Sequence, residues 1–322
     1  MSLTYSIIIP VFNRPQEIDE LLQSLTKQTF TSDFEVLVIE DGSTLKSDEV
    51  VSKYEGLLNV KYHFKENSGA GASRNLGLQL ATGNYFIIID SDCIIPPHYL
   101  DAVDFALDEN YTDAFGGADA AHDSFTTVQK AINYSMTSFL TTGGIRGSKN
   151  SVDKFQPRSF NFGISRLAYR IIGGFSAMKI GEDIDLTFRL WENNFHTQFI
   201  EKAFVYHKRR TSLKQFFRQT YLFGNARPFL NRKYPGTAKI TYWFPILFIV
   251  FFMASIVFLF FGFMIPAALF VIYFVALILD SLLKNKNISV AALSIVTTLI
   301  QFTGYGIGFV KGLFRANKRE II

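Results

Sequence analysis

The stretch Asn84-Tyr85-Phe86-Ile87-Ile88-Ile89-Asp90-Ser91-Asp92-Cys93 decides the fold. Phe86 to Ile89 is an unbroken apolar run. It reads as a strand buried on both faces, as in a parallel sheet. Such a sheet binds ligands outside the carboxyl ends of its strands. Asp90 and Asp92 stand at that end, and on an extended chain positions i and i+2 point the same way. Two carboxylates on one side make a hard, oxygen-rich site suited to Mg²⁺ or Mn²⁺ holding a phosphate. Taken alone, the pair fits a strand followed by an Asp-Ser turn equally well, so the neighbouring segments have to decide.

Upstream, Ser6 to Val11 reads as a first buried strand. Pro15 stands where a helix begins, and Ile18, Leu21, Leu22 and Leu25 fall at helical spacing. Phe34 to Ile39 is a second strand, ending in Glu40-Asp41-Gly42-Ser43; a third lies near Val60 to Phe64. A helix follows through Leu80, entered by Gly69-Ala70-Gly71-Ala72-Ser73-Arg74. Strands alternating with helices predict an α/β domain with a mostly parallel sheet. The two glycines do not make a dinucleotide fingerprint, because position 74 is Arg and the loop follows the third strand. They fit either a phosphate-cradling loop or a plain turn. Three strand ends carry polar groups: Asn13-Arg14, Glu40-Asp41 and Asp90 with Asp92. In one sheet these ends share a crevice. There Asp41 can accept from a base or ribose, and Arg14 or Arg74 can face phosphate.

The motifs then converge. Ile7-Ile8-Ile9-Pro10-Val11-Phe12-Asn13, Glu40-Asp41-Gly42-Ser43, Asn75-Leu76-Gly77 with Ala81-Thr82-Gly83, and Asp90-Ser91-Asp92 resemble the family 2 inverting glycosyltransferases of the GT-A fold. Gly173-Gly174-Phe175 with Gly181-Glu182-Asp183-Ile184-Asp185-Leu186 is similar to the family's acceptor-side motif. Gln215-Phe216-Phe217-Arg218-Gln219 is similar to its Q-x-x-R-W, with Gln219 in place of Trp. The resemblance runs over about residues 4–230 in the family's order. It implies a GT-A nucleotide-diphospho-sugar transferase domain in which Pro10, Asn13, Arg14, Asp41, Arg74 and Asp90 line the nucleotide. Asp92 is then the metal ligand, His207 a further metal or diphosphate contact, and Asp183 the catalytic base. Gln215 and Arg218 belong to the acceptor and diphosphate region. The cofactor implied is a divalent metal, Mn²⁺ or Mg²⁺.

Transfer from a nucleotide diphosphate needs charge stabilisation on the leaving group and a base near the acceptor hydroxyl. Asp183 opens a helical stretch, where a carboxylate also serves as an ordinary cap. Glu182 and Asp185 are rival bases. His207 also reads as a surface imidazole at a strand end (Phe199 to Tyr206). Gly143-Gly144-Ile145-Arg146-Gly147 reads as a mobile loop near the acceptor, and Asn161-Phe162-Gly163 as a strand entering the site.

Composition separates this chain from an ordinary soluble enzyme: 322 residues with 34 Phe and 16% aromatics, and a positive mean hydropathy. The single cysteine, Cys93, excludes an internal disulfide framework and suits a reducing compartment. The start has no basic segment leading into a long apolar run, so no signal peptide is expected. Between Lys202 and Lys239 there are ten Lys or Arg and no Asp or Glu, interleaved with aromatics. Such a stretch fits nucleic acid, but the sequence after it points to a membrane. Tyr242 to Leu279 carries no charge, enough for two spans of about 20 residues each, with Gly262 as the turn. A basic segment before a span reads as cytoplasmic and drawn to anionic lipid.

The expected layout is a GT-A domain over 1–235 and a membrane region over 240–313, with a basic tail over 314–322. The membrane region has spans near 243–262 and 263–283 and a third apolar stretch over 288–310. That stretch is a full span, or a re-entrant or interfacial one, and its small residues at 304, 306 and 308 fit helix packing. The expected protein is a multi-pass enzyme of the cytoplasmic membrane with its catalytic domain in the cytoplasm. Its partners are a UDP- or GDP-type sugar and a polyprenyl-linked or other glycan acceptor, and no nucleic acid. A processive polysaccharide synthase is the nearer alternative, disfavoured by Gln219. A catalytically silent nucleotide-sugar-binding membrane protein is the other.

Overall fold

The computed structural model describes residues 2–143 and 155–317. Gly144 to Gly147 of the acceptor-loop reading, and Lys318 and Arg319 of the basic tail, lie outside the described residues. The chain forms two compact units. The described residues 2–122 and 155–208 make the first, and 123–143 and 209–317 the second.

The first unit is built on one eight-stranded sheet. Its strands are β1 (Tyr5–Val11), β2 (Phe34–Asp41), β3 (Asn59–Lys65), β4 (Tyr85–Ile89), β5 (Cys93–Ile94), β6 (Ala114–Ala120), β7 (Asn161–Ser165) and β8 (Thr197–His207). They lie in the order β3-β2-β1-β4-β7-β6-β8-β5. β1 to β4 are mutually parallel, as are β6 and β8; β7 runs antiparallel to both of its neighbours, and β5 to β8.

The apolar run of β4 is wholly buried, and the period of two sorts the sheet into two cores. Ile7, Ile9, Val36, Val38, Ile87 and Ile89 face α1 (Pro15–Leu25) and α4 (Tyr99–Glu109) through Leu21, Leu22, Leu100 and Val103, and Val51 of the short α2 (Asp48–Ser52) joins the same core. Ile8, Leu37, Ile39, Phe86 and Ile88 face the opposite way. They meet Leu78 of α3 (Ala70–Leu80), Ala168 of α7 (Arg166–Ile172), and Leu186 and Leu190 of α8 (Glu182–Glu192). Each such side chain contributes about 1.5–3 kcal/mol of burial. Gly77 explains one motif position: a Cβ there would stand 2.3 Å from Ile8 Cγ2, so α3 can lie on β1 only if residue 77 has no side chain.

Chain order reverses between β1 and β4, since β1 connects outward to β2 and the chain returns to β4 on the other side. Pairing of β1 with β4 ends at Ile8 and Ile88, so Pro10, which lacks an N–H, lies beyond that ladder. The carboxyl ends of these strands therefore splay at a topological switch point, where ligands of open α/β sheets bind.

The second unit is helical: α5 (Thr127–Thr137), the short α6 (Phe139–Thr142), α9 (Leu213–Lys233), a 3₁₀ turn (Ile240–Trp243), α10 (Phe244–Phe260), α11 (Ile265–Asn285) and α12 (Ile288–Asn317). Segments Ile240–Phe260, Ile265–Asn285 and Ile288–Ala316 are long and apolar enough to cross a membrane, by length and composition. The third is one continuous helix that packs along α9. A Cβ on Gly304, Gly308 or Gly312 would come within 2.4 Å of α9, meeting Thr220 Oγ1, the Tyr221 carbonyl or the Asn225 carbonyl. Gly224 of α9 answers with the Tyr305 carbonyl at 2.1 Å. The packing ladder is thus 304, 308 and 312, one helical face, while Gly306 meets Ile246 of α10 instead.

Gly308→Val should lower thermal stability in detergent by several degrees, the effect of overpacking at about 1–3 kcal/mol or more. Ile307→Ala, at a position 46% exposed, should change it little. Equal effects would mean that the close approach of α9 and α12 does not matter to stability.

Candidate active site

Arg14, directly after β1, donates from Nη1 to Asp92 Oδ2 at 2.8 Å across the switch point. Asp92 follows β4, and β5 then pairs antiparallel with β8, setting Cys93 opposite His207. This register brings His207 Nε2 within 3.2 Å of Asp92 Oδ1. The imidazole is held on its other side by the Phe160 ring, stacked at 4.6 Å, and its Nδ1 lies 4.0 Å from Asp119 Oδ2. Burial opposes the charged form of Asp92, but His207 and Arg14 outweigh it and hold the carboxyl well below the usual range.

Asp92, Cys93 and His207 offer ligand atoms within 4.8 Å of one another. Asp92 Oδ1 is enclosed, with His207 Nε2 at 3.2 Å, so the carboxylate and the imidazole converge as two ligands of one ion would. Carboxylate and imidazole suit Mn²⁺, whereas the Cys93 thiol is soft, buried and aimed at the Phe160 carbonyl at 3.7 Å. Asp92 and His207 fit a hard divalent ion; Cys93 does not.

The second cluster turns on Arg74. It is 4% exposed and bridges two carboxylates, from Nη2 to Asp90 Oδ1 at 2.7 Å and from Nη1 to Glu182 Oε1 at 2.9 Å. Its guanidinium also lies 5.2 Å from the Phe175 ring centroid. Arg74 is thus already committed to two carboxylates, a different setting from an open phosphate contact.

Glu182 and Asp183 open α8 behind Gly181, whose φ of 84° is left-handed. The helix dipole favours carboxylates there. The three acids of that turn differ sharply. Asp185 is fully buried and bound by Arg189 Nε at 3.1 Å. Arg189 also donates to the Ile172 and Gly174 carbonyls, so this pair fixes the Gly173-Gly174 turn. Glu182 is held by Arg74. Asp183 keeps the looser environment: among the described residues Oδ1 accepts only the amide of Ile184, at 2.8 Å, and Arg158 Nη1 stands 3.9 Å from Oδ2.

Burial, then the neighbouring Asp183 charge, push the Glu182 carboxyl up to about 7 against the opposing effect of Arg74. A pKa raised on folding makes the folded state the better proton binder. Its stability is fully present below the unfolded value near 4.5 and is lost as pH rises through about 7. Between pH 5 and 8 the melting temperature should therefore fall, and Glu182→Gln should flatten that slope. An unchanged slope in the variant would take Glu182 out of this role.

Asp41, at the end of β2, is buried. Its carboxylate accepts from Lys65 Nζ and from the amides of Ser68 and Gly69, both at 2.9 Å. Burial raises its pKa, but Lys65 and the two amides bring it below the ordinary value. Asp41 thereby sets the Asn67–Gly69 loop that enters α3. Asn13, with a left-handed φ of 55°, accepts at Oδ1 from the amides of Thr44 and Leu45 and ties the first two strand-end loops together. Gln215 and Arg218 are exposed in the first turns of α9, in the second unit. Several supporting residues carry no local signal. Asn75 makes paired bonds with the Phe175 backbone at 2.7 and 2.8 Å, and Arg158 and Phe160, just before β7, and Asp119 of β6 reach the site from distant parts of the chain.

Residues 6–174 match the family described as glycosyl transferase family 2. A poly(ribitol-phosphate) beta-N-acetylglucosaminyltransferase, TarS, of Staphylococcus aureus is 38% identical over 114 residues, 34% of this chain and 20% of that protein. The match thus spans about a fifth of that relative's length. Among solved structures, the mannosyltransferase PcManGT from Pyrobaculum calidifontis, in complex with GDP-Man and Mn²⁺, has a TM-score of 0.62 at 17% identity, covering 99% of this chain and 89% of the other. TarS 1-349 in complex with UDP-GlcNAc has a TM-score of 0.50 at 19% identity, covering 98% and 92%. At these identities the likeness is one of fold.

Proposed function

The chain belongs to glycosyl transferase family 2, and from that premise we propose that it is a membrane-anchored glycosyltransferase. It moves one sugar from a nucleotide-diphosphate donor to a hydroxyl of a lipid-linked glycan, with inversion. The observation that carries this reading is the Arg74 bridge, which joins Asp90 of the D-x-D pair to Glu182, the neighbour of Asp183. Donor-side and acceptor-side acids thereby share one crevice.

In this reading Asp92 and His207 hold a divalent ion, which supplies Lewis-acid stabilisation of the leaving diphosphate when bound. Arg14 orients the Asp92 carboxylate. Asp41 keeps the Asn67–Gly69 loop in place beside the nucleobase. Asp183 takes the proton from the acceptor hydroxyl at Oδ2, which accepts no hydrogen bond among the described residues and has Arg158 Nη1 as a neighbour at 3.9 Å. Arg74 is occupied by Asp90 and Glu182.

UDP and GDP donors both remain in scope, since the fold neighbours were solved with UDP-GlcNAc and GDP-Man. The lipid-linked acceptor rests on the three apolar helices and on the basic stretch before them. The apolar helices also support a multi-pass anchor, with the positive-inside rule setting the catalytic unit in the cytoplasm. Product analysis tests the stereochemistry and the single addition. From an α-linked donor the product should be β-linked and one residue longer than the acceptor. A retained α-linkage, or a ladder of long products, would overturn the corresponding part.

A further inference from the structure

Arg227 lies in α9 of the second unit, only 8% exposed, with its guanidinium 4.5 Å from the ring centroid of Tyr242. Among the described residues it forms no ion pair and donates no hydrogen bond, and its Nη1 is fully enclosed. An uncompensated charge in such a place is strongly unfavourable. Among the described residues of the unit no carboxylate pairs with it. The unit's only acidic residues among those described are Asp123 and Asp280. Asp280 is already taken, accepting from Tyr134 Oη at 2.6 Å, Lys284 Nζ at 2.9 Å and Ser138 Oγ at 3.0 Å. No acid occurs anywhere from 202 to 279.

The position also says where the anion comes from. Tyr242 belongs to the 3₁₀ turn that opens into α10, and the next residues, Trp243 and Phe244, are 43% and 49% exposed. The amphipathic rings of Tyr242 and Trp243 at the start of an apolar helix mark the headgroup level of a bilayer. Asn231, one turn beyond Arg227 on the same helix face, is a second polar side chain there, with an enclosed Oδ1 that has no hydrogen-bond partner among the described residues. A guanidinium fork is matched to the oxygens of a phosphate.

We propose that Arg227, backed by Tyr242, is a binding site for the phosphate of a membrane lipid, entered from the lipid side at the start of α10. It rests on the membrane-anchored reading above. Two sources share this chemistry, the headgroup of a bulk anionic phospholipid and the phosphate of an isoprenoid carrier.

The test uses the full chain purified in neutral detergent and reads lipid binding through thermal shift, with no transfer assay involved. The probes are phosphatidylglycerol, a long-chain isoprenyl phosphate, diacylglycerol and inorganic phosphate. The two phosphate-bearing lipids should raise the melting temperature, and diacylglycerol should not. Arg227→Gln should weaken the better lipid about tenfold or more, the loss of charge-assisted hydrogen bonds. Lys214→Gln, an exposed cation earlier in α9, should weaken it less than about twofold, as a screened surface charge does. Arg227→Gln should also melt higher than the wild type when no lipid is added, because a buried unpaired charge has been removed. Should that variant fail to fold, Arg227→Lys takes its place, with a several-fold loss expected because the fork is gone.

The lipid weakened more identifies the source. Undiminished lipid binding in the Arg227 variants, an equal loss in Lys214→Gln, or equal protection by inorganic phosphate would each overturn the site. Failure of glycosyl transfer with this pattern intact would count against the enzymatic reading alone.

Discussion

Asp183→Asn is expected to lower the transfer rate about 10²- to 10⁴-fold, the usual contribution of a positioned general base, while donor binding stays within about twofold. The amide cannot take the acceptor's proton, but its Oδ1 can still receive the Ile184 amide that Asp183 accepts at 2.8 Å. The helix loses one favourable charge at its N-terminus, worth about 0.3–1 kcal/mol, so the fold should persist. Single-turnover kinetics with a saturating acceptor, beside calorimetric donor binding, separate the two quantities. Loss of both would move Asp183 from proton transfer to donor binding. Asp185→Asn is the instructive contrast: its carboxylate is buried against Arg189, so its effect should be on stability first.

The second large effect is expected at Asp92. Asp92→Asn removes the carboxylate that stands 3.2 Å from His207 and 2.8 Å from Arg14. Turnover at limiting Mn²⁺ should fall about 10²- to 10³-fold, corresponding to several kcal/mol of lost Lewis-acid stabilisation. Excess Mn²⁺ should recover part of it. Chelation of the wild type should mimic the variant and be reversed by adding the ion back. His207→Ala should give a smaller loss with the same metal rescue. If neither variant changed the Mn²⁺ dependence, the Asp92–His207 pair would be only a buried ion pair, which structural networks also produce.

Much of this arrangement is legible in the chain itself. β4 can be read because its apolar run is bounded by polar residues, and its period of two predicts both cores. Asp90 and Asp92 can be read because strand ends in a parallel sheet point to the ligand. The link between Asp92 and His207 depends on the two-residue strand β5 and its register with β8, which no local pattern announces. Arg74 is harder still. Its partner Glu182 lies 108 residues away, and a glycine-rich loop before an Arg reads naturally as a phosphate site. Asp41 is similar: a carboxylate at a strand end is visible, but its capture by Lys65 and two loop amides is a product of tertiary packing. In the helical unit, the glycines of α12 are plain in the sequence, yet the face they share emerges only once α12 is seen as one continuous helix against α9.

The most direct test is nucleotide release by the detergent-purified protein across a panel of UDP- and GDP-sugars, with and without Mn²⁺ and a lipid-phosphate extract. Release from one donor, abolished by chelation, increased by the extract and lost in Asp183→Asn, is the predicted result. Measurable nucleotide binding with no release from any donor, whatever metal or lipid is added, would contradict it and identify a nucleotide-sugar-binding membrane protein in place of an enzyme.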